Sequence, residues 1–118
     1  MAKESIVREK AFAFAIRIVK LYKFLSTEKK EFILSKQILR SGTSIGANIE
    51  EADDAISKKE FSNKISIAYK EARETSYWLR LLQATDFIEK HLFESLAADC
   101  DELCKLLFAI IRTTRIKN

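Results

Sequence analysis

Apolar residues recur three and four positions apart along almost the whole of this chain, and no proline interrupts them. That spacing matches the turn of an α-helix, so each segment can bury one stripe of side chains. A proline would break such a run by removing an N–H and clashing with the preceding turn. Only two glycines, Gly42 and Gly46, stand among 118 residues. A many-turned β-sandwich needs far more breakers than that. A few long helices with short connections are the expectation.

The first segment carries Val7, Ala11, Phe14, Ile18, Leu21, Tyr22 and Leu25 as one stripe. A second apolar set, Phe12, Ile16 and Val19, lies about a third of a turn away, and Lys10, Arg17 and Lys20 occupy the far side. An ordinary surface helix buries one stripe, so this helix is apolar over more than its core requires. Either it is deeply buried, or Phe12, Ile16 and Val19 form an interface for another subunit. Ser26 to Lys30 then forms a polar break.

The second segment runs from about Glu31 to Ile56, with Leu34, Ile38, Ile45, Ile49, Ala52 and Ile56 along one face. Its middle, Ser41-Gly42-Thr43-Ser44-Ile45-Gly46, is poor in helix formers. The apolar spacing keeps phase across it, which predicts a continuous helix. Ser57-Lys58-Lys59-Glu60 reads as a capping box before Phe61. It starts a third helix whose stripe is Phe61, Ile65, Ala68, Ala72, Leu79 and Leu82. Gln83 to Ile88 is the next break, with Thr85 or Asp86 as a cap. The last helix carries Leu92, Phe93, Leu96, Cys100, Leu103, Cys104, Leu107, Ile110 and Ile111.

Helices of roughly 22–28 residues would each span about 33–42 Å. Short connections make neighbours antiparallel, so the predicted fold is all-α, an up-down-up-down four-helix bundle. No linker or repeat divides residues 1–118, which read as one domain.

Charge is unevenly spread. The chain has 21 basic and 17 acidic residues, a formal charge of +4. Residues 1–40 hold ten basic and four acidic side chains, whereas residues 41–118 hold eleven and thirteen. Lys10, Arg17 and Lys20 are therefore candidate contacts for RNA or DNA, although a solvated basic face is the commoner use of such charge. No segment resembles an export signal or reaches the ~20 apolar residues of a membrane span, so the expectation is a cytoplasmic protein with no membrane partner. Cys100 and Cys104, one helical turn apart, read as reduced core residues.

Sites for chemistry are scarce. Gly42 to Gly46 lacks the lysine that ends a phosphate loop and follows no strand. Glycines four apart instead let another backbone approach, which makes this patch a second candidate interface. His91 is the one histidine, and di-iron bundles need two Glu-x-x-His motifs. Two cysteines supply only half of a zinc site. No nucleophile with a base and an orienting acid can be assembled. No catalytic residue, cofactor or metal is expected. Glu71 and Glu74 share a face with Ile67 and Trp78, and acids on a partly apolar face need partners. Arg40 and Asn48 on the preceding helix are the nearest, so Arg40, Asn48, Glu71 and Glu74 are expected to form a polar network. It is structural in the first reading and a ligand-binding cluster in the second.

Two stretches carry a family resemblance. Gln37-Ile38-Leu39-Arg40-Ser41-Gly42-Thr43-Ser44-Ile45-Gly46-Ala47-Asn48-Ile49-Glu50-Glu51-Ala52 forms the first. Phe61, Ile67-Ala68-Tyr69-Lys70-Glu71-Ala72 and Glu74-Thr75-Ser76-Tyr77-Trp78-Leu79 form the second. Together they resemble the bacterial four-helix-bundle proteins encoded within intervening sequences of 23S ribosomal RNA genes. The resemblance runs from about residue 10 to 112. It implies a left-handed bundle assembling into a ring-like homopentamer. It also brings in a relative, the accessory variability protein of diversity-generating retroelements, a basic barrel that binds nucleic acid and a reverse transcriptase. No enzymatic activity comes with it. The expected function is a non-enzymatic, self-assembling helical scaffold with a nucleic-acid or nucleoprotein partner. The alternative is a structural or protein-interaction scaffold that never touches nucleic acid.

Overall fold

In the computed structural model of the protein, the backbone is described over residues 2–117 and the side chains over residues 6–114. Four helices make up 86% of the chain, and no strand occurs among the described residues. They are α1 (Ala2–Thr27), α2 (Leu34–Asp53), α3 (Lys58–Ala84) and α4 (Lys90–Lys117). The predicted stripes become one shared core. Every residue of the α1 stripe is buried except the half-buried Tyr22. The stripes of α2, α3 and α4 meet it with Ile38, Ile45, Ile49, Ile65, Leu79, Leu82, Leu96, Leu103 and Leu107, all at 1% exposure or less.

Ion pairs record the helix directions. Arg8, early in α1, bonds Asp53 at the end of α2 at 2.9 Å, and Lys64, early in α3, reaches Glu51 at 2.6 Å. Each pair joins the start of one helix to the end of α2, as antiparallel neighbours of α2 require. Among the described residues the helix backbones neighbour one another around a square, α1 to α2 to α3 to α4 and back to α1, and not across its diagonals. The α2–α3 seam is the closest and the α1–α4 seam the most open. The bundle measures 46 × 21 × 19 Å.

Helix ends depart from the sequence reading in instructive ways. The second helix begins at Leu34, not near Glu31. Glu31 stays outside, where its carboxylate accepts from the backbone N–H groups of Ile33, Leu34 and Ser35 at 3.2, 3.0 and 2.7 Å. These first-turn donors have no partner within the helix, so a carboxylate there substitutes for a cap. Ile56 falls past the end of α2 and is 95% exposed. At α3, Ser57 Oγ accepts from Glu60 N–H at 3.1 Å, completing half of the expected box. The return bond goes one residue further back, from Ile56 N–H to Glu60 Oε2 at 3.2 Å.

Thr85 and Asp86 close α3 and do not open α4. Asp86 takes a left-handed conformation at φ 67°, and Phe87 N–H reaches back to Leu82 O at 2.9 Å. This is a Schellman ending, in which aspartate can stand in for glycine.

The polar middle of α2 is helical, as its phase predicts. Thr43 and Ser44 turn their hydroxyls onto Leu39 O and Arg40 O at 2.7 and 2.6 Å. Ser41 is wholly buried, and its hydroxyl is hydrogen-bonded to that of Thr75 at 2.9 Å across the α2–α3 seam. The glycines pack α2 against α1 within the subunit, so their patch is not an open interface. A β-carbon on Gly42 would lie 2.8 Å from both γ-carbons of Ile18, whereas one on Gly46 would meet Ala11 at an ordinary 3.6 Å.

The two positions should therefore respond oppositely to one methyl group. Gly46→Ala is expected to stabilise the protein by about 0.5–1 kcal/mol through helix propensity. Gly42→Ala should destabilise it by roughly 1–3 kcal/mol, because a fully buried, β-branched side chain must shift. Urea denaturation of both variants checks this, and equal effects would contradict the assigned packing.

Candidate interaction surfaces

Two surfaces gather the residues singled out in the sequence. The first is the outside of α1. Phe12 is 66% exposed and Ile16 45%, with Val19 half-buried between them and the core. The fully buried alternative for this helix is thereby excluded. A helix in a square bundle has two neighbours, and side chains turned away from both meet solvent. The second apolar set is a ridge.

Two of the three basic side chains beside it are engaged with α4. Arg17 Nη1 bonds Asp99 Oδ2 at 2.6 Å, and its Nη2 donates to Ser95 Oγ at 2.9 Å. Lys10 Nζ lies 3.3 Å from Glu102 Oε2. Lys20 is exposed, and no ion pair involves it among the described residues. Each such pair is worth little alone. Together they bridge the seam where apolar packing is thinnest, and they neutralise part of the predicted basic stripe. Asp99 and Glu102 were not among the expected site residues. Their i, i+3 spacing on the α1-facing side of α4 is the signal that would have found them.

The second surface spans α2 and α3. Arg40 Nη1 donates to Glu71 Oε2 at 3.0 Å, and its Nη2 bonds Glu74 Oε2. The Trp78 indole N–H donates to that same Glu74 oxygen at 3.0 Å. Asn48 stands apart, because its Nδ2 donates to Ser44 O, one turn back on its own helix, at 2.8 Å. It lies two turns beyond Arg40, and a short amide cannot span that distance. Trp78 takes the place expected of Asn48. Outside this group the Tyr77 ring meets Trp78 edge-on at 5.1 Å, and the Arg80 guanidinium lies 5.7 Å from the Tyr77 ring centre.

The network's charges support one another. The two carboxylates, Glu71 foremost, raise the Arg40 guanidinium above its ordinary range. Glu74 is held below its usual 4.5, most of all by the Trp78 indole; burial opposes this and Arg40 reinforces it. With both carboxylates engaged by Arg40 and one also by Trp78, the group fits a clasp between helices better than a ligand cluster.

Other candidates for chemistry remain scattered. His91 is exposed in the first turn of α4. Cys100 and Cys104 are free thiols, and Cys100 Sγ donates to Ala72 O at 3.2 Å across the α3–α4 seam. Among the described residues no three His, Cys, Asp or Glu side chains converge as metal ligands. Nor is any described helix long and apolar enough to cross a membrane.

Residues 3–109 match the model of the family described as "23S rRNA-intervening sequence protein". The chain is also similar to a crystal structure from Bacteroides thetaiotaomicron, described as a protein of unknown function from the S23 ribosomal protein family. The two share 56% identity over 93% of this chain and 98% of the other, with a TM-score of 0.92. No curated protein matches the sequence.

Trp78 is the sole tryptophan, which makes its emission a reporter on Glu74. A carboxyl whose folded pKa is depressed favours the ionised folded state, so its contribution is intact above the ordinary value and is lost as pH falls below it. The indole emission should therefore change on acidification with a midpoint below 4.5. Glu74→Gln should abolish that transition, and a midpoint at or above 4.5 in the unsubstituted protein would contradict the assignment.

Proposed function

We propose that this chain, which belongs to the 23S rRNA-intervening sequence protein family, is a non-enzymatic helical scaffold that assembles with copies of itself through the outer face of α1. The observation that carries this reading is the ridge of Phe12 and Ile16, 66% and 45% exposed on a helix whose core stripe is already complete. Adjoining apolar side chains left in water mark an interaction surface. The scaffold reading is also supported by the use of its polar groups. Arg40, Glu71 and Glu74 clasp two helices together, which leaves no activated nucleophile or acid–base pair among them.

A closed cyclic assembly is the usual form of a soluble homo-oligomer. The ring of five implied by the family resemblance is the arrangement proposed. It would repeat the α1 ridge once per subunit, with Val19 at its inner margin. Such a scaffold offers a regular surface to a further protein or nucleoprotein partner.

Contact with RNA or DNA is the less favoured part of the sequence reading. It relied on Lys10, Arg17 and Lys20, and the first two spend their charge on Glu102 and Asp99. A belt of that composition would attract phosphate weakly and with a steep salt dependence.

Light scattering at micromolar concentration should return a mass several times 13.6 kDa. Phe12→Ser combined with Ile16→Ser should lower it toward the monomer while leaving the helical circular dichroism intact, because neither side chain is in the core. A monomer mass for the unsubstituted protein would overturn self-assembly. Titrating labelled RNA and DNA with the assembled protein at low salt tests the nucleic-acid reading, and saturable binding there would restore it.

A further inference from the structure

The turn between α1 and α2 holds the most conspicuous apolar side chains outside the α1 ridge. Phe32 and Ile33, adjacent in sequence, are 53% and 74% exposed, and Phe24 nearby is 37% exposed. Loop residues of this size are seldom left bare without use. The turn is also well tied down. Lys30 adopts a left-handed conformation at φ 54°, and Glu31 N–H reaches back to Leu25 O at 2.9 Å. The Glu31 carboxylate then accepts the three backbone N–H groups that open α2. Burial works to raise the pKa of that carboxyl, but the bonds from Leu34, Ser35 and Ile33 hold it below the ordinary range. Phe32 and Ile33 are thus presented outward by a braced turn.

The free charge around this turn is mostly basic. Residues 20–36 contain Lys20, Lys23, Lys29, Lys30 and Lys36 against Glu28 and Glu31 alone, and Glu31 is committed to capping. The α3–α4 turn at the same end adds Asp86, Glu89 and Lys90, so the end stays net positive. The opposite end also exposes an isoleucine, Ile56. There the charge is mixed: Lys58 and Lys59 follow Ile56, while Asp53 and Glu51 are paired with Arg8 and Lys64.

An apolar tip inside a ring of lysines matches the layering of an anionic bilayer, with headgroup charge outside and hydrocarbon beneath. We propose that the α1–α2 end of the bundle docks peripherally on anionic phospholipid. Phe32 and Ile33 enter the interfacial layer, and Lys23, Lys29, Lys30 and Lys36 hold the headgroup charges. Nucleic acid would satisfy the lysines but offers nothing to Ile33, which has no ring to stack on a base. The tip lies off the α1 ridge, so the inference stands apart from self-assembly.

Flotation of the full-length protein with phosphatidylcholine vesicles containing about a third phosphatidylglycerol tests it. The protein should float with these vesicles and not with pure phosphatidylcholine. Phe32→Ser with Ile33→Ser alters only exposed side chains and should keep the fold, checked by circular dichroism. It should lower the bound fraction by about tenfold or more at equal lipid. Lys29→Glu with Lys30→Glu should do the same. Absence of flotation would overturn the proposal. So would undiminished flotation of a folded Phe32/Ile33 variant, which would reduce the effect to charge adsorption. Displacement from RNA-free vesicles by added RNA without any dependence on Phe32 and Ile33 would assign the lysines to nucleic acid and overturn it equally.

Discussion

The position of α1 is set by one close contact. Both γ-carbons of Ile18 occupy the space that a β-carbon on Gly42 would need, so α1 seats its side chain directly against the α2 backbone. Ile18 is fully buried by that approach. Drawn toward α2, α1 stands away from α4, and the remaining seam is bridged by Arg17, Asp99, Ser95, Lys10 and Glu102. The same displacement determines which residues are left outside. Phe12 and Ile16 face solvent because the helix has turned its other stripe fully into the core.

Polar residues serve the opposite seam differently. Between α2 and α3 a buried hydroxyl pair, Ser41 and Thr75, lies inside, and Arg40 bridges Glu71 and Glu74 at the rim. A buried hydroxyl without a partner is costly; Thr75 Oγ1 also reaches Glu71 O on its own helix, so it is Ser41 that requires Thr75 at its own level of the bundle. That requirement fixes the register of two helices whose apolar stripes alone would tolerate sliding. The rim network then ties the outer edge of the seam together. Structural polarity of this kind is easily mistaken for a binding site when only residue types are visible.

The two surfaces proposed for interaction have different origins. The α1 ridge exists because one helix carries more apolar residues than a bundle can bury. The braced α1–α2 turn exists because the chain must reverse direction, and Glu31 accepts the orphan N–H groups that this reversal creates. With Glu31 so engaged, lysines dominate the free charge of that end. One surface is built from helix periodicity and the other from a helix terminus.

Periodicity alone determined the helices and their buried stripes, because burial of one face per turn is a local property that any long bundle must satisfy. It also marked Phe12, Ile16 and Val19 as surplus, and it paired Arg40 with Glu71 and Glu74. It could not separate Asn48 from that network, since the answer depended on a two-turn offset along α2 and on an amide that prefers Ser44 O on its own helix. Nor could it place the helix ends within a residue or two: Glu31 lies outside α2, and Asp86 closes α3. Ends are settled by which backbone groups lack partners, and that follows from the whole chain's path. Only the tertiary structure decided that Lys10 and Arg17 face carboxylates on α4, because residues some eighty and ninety positions apart become neighbours only when the fourth helix closes against the first.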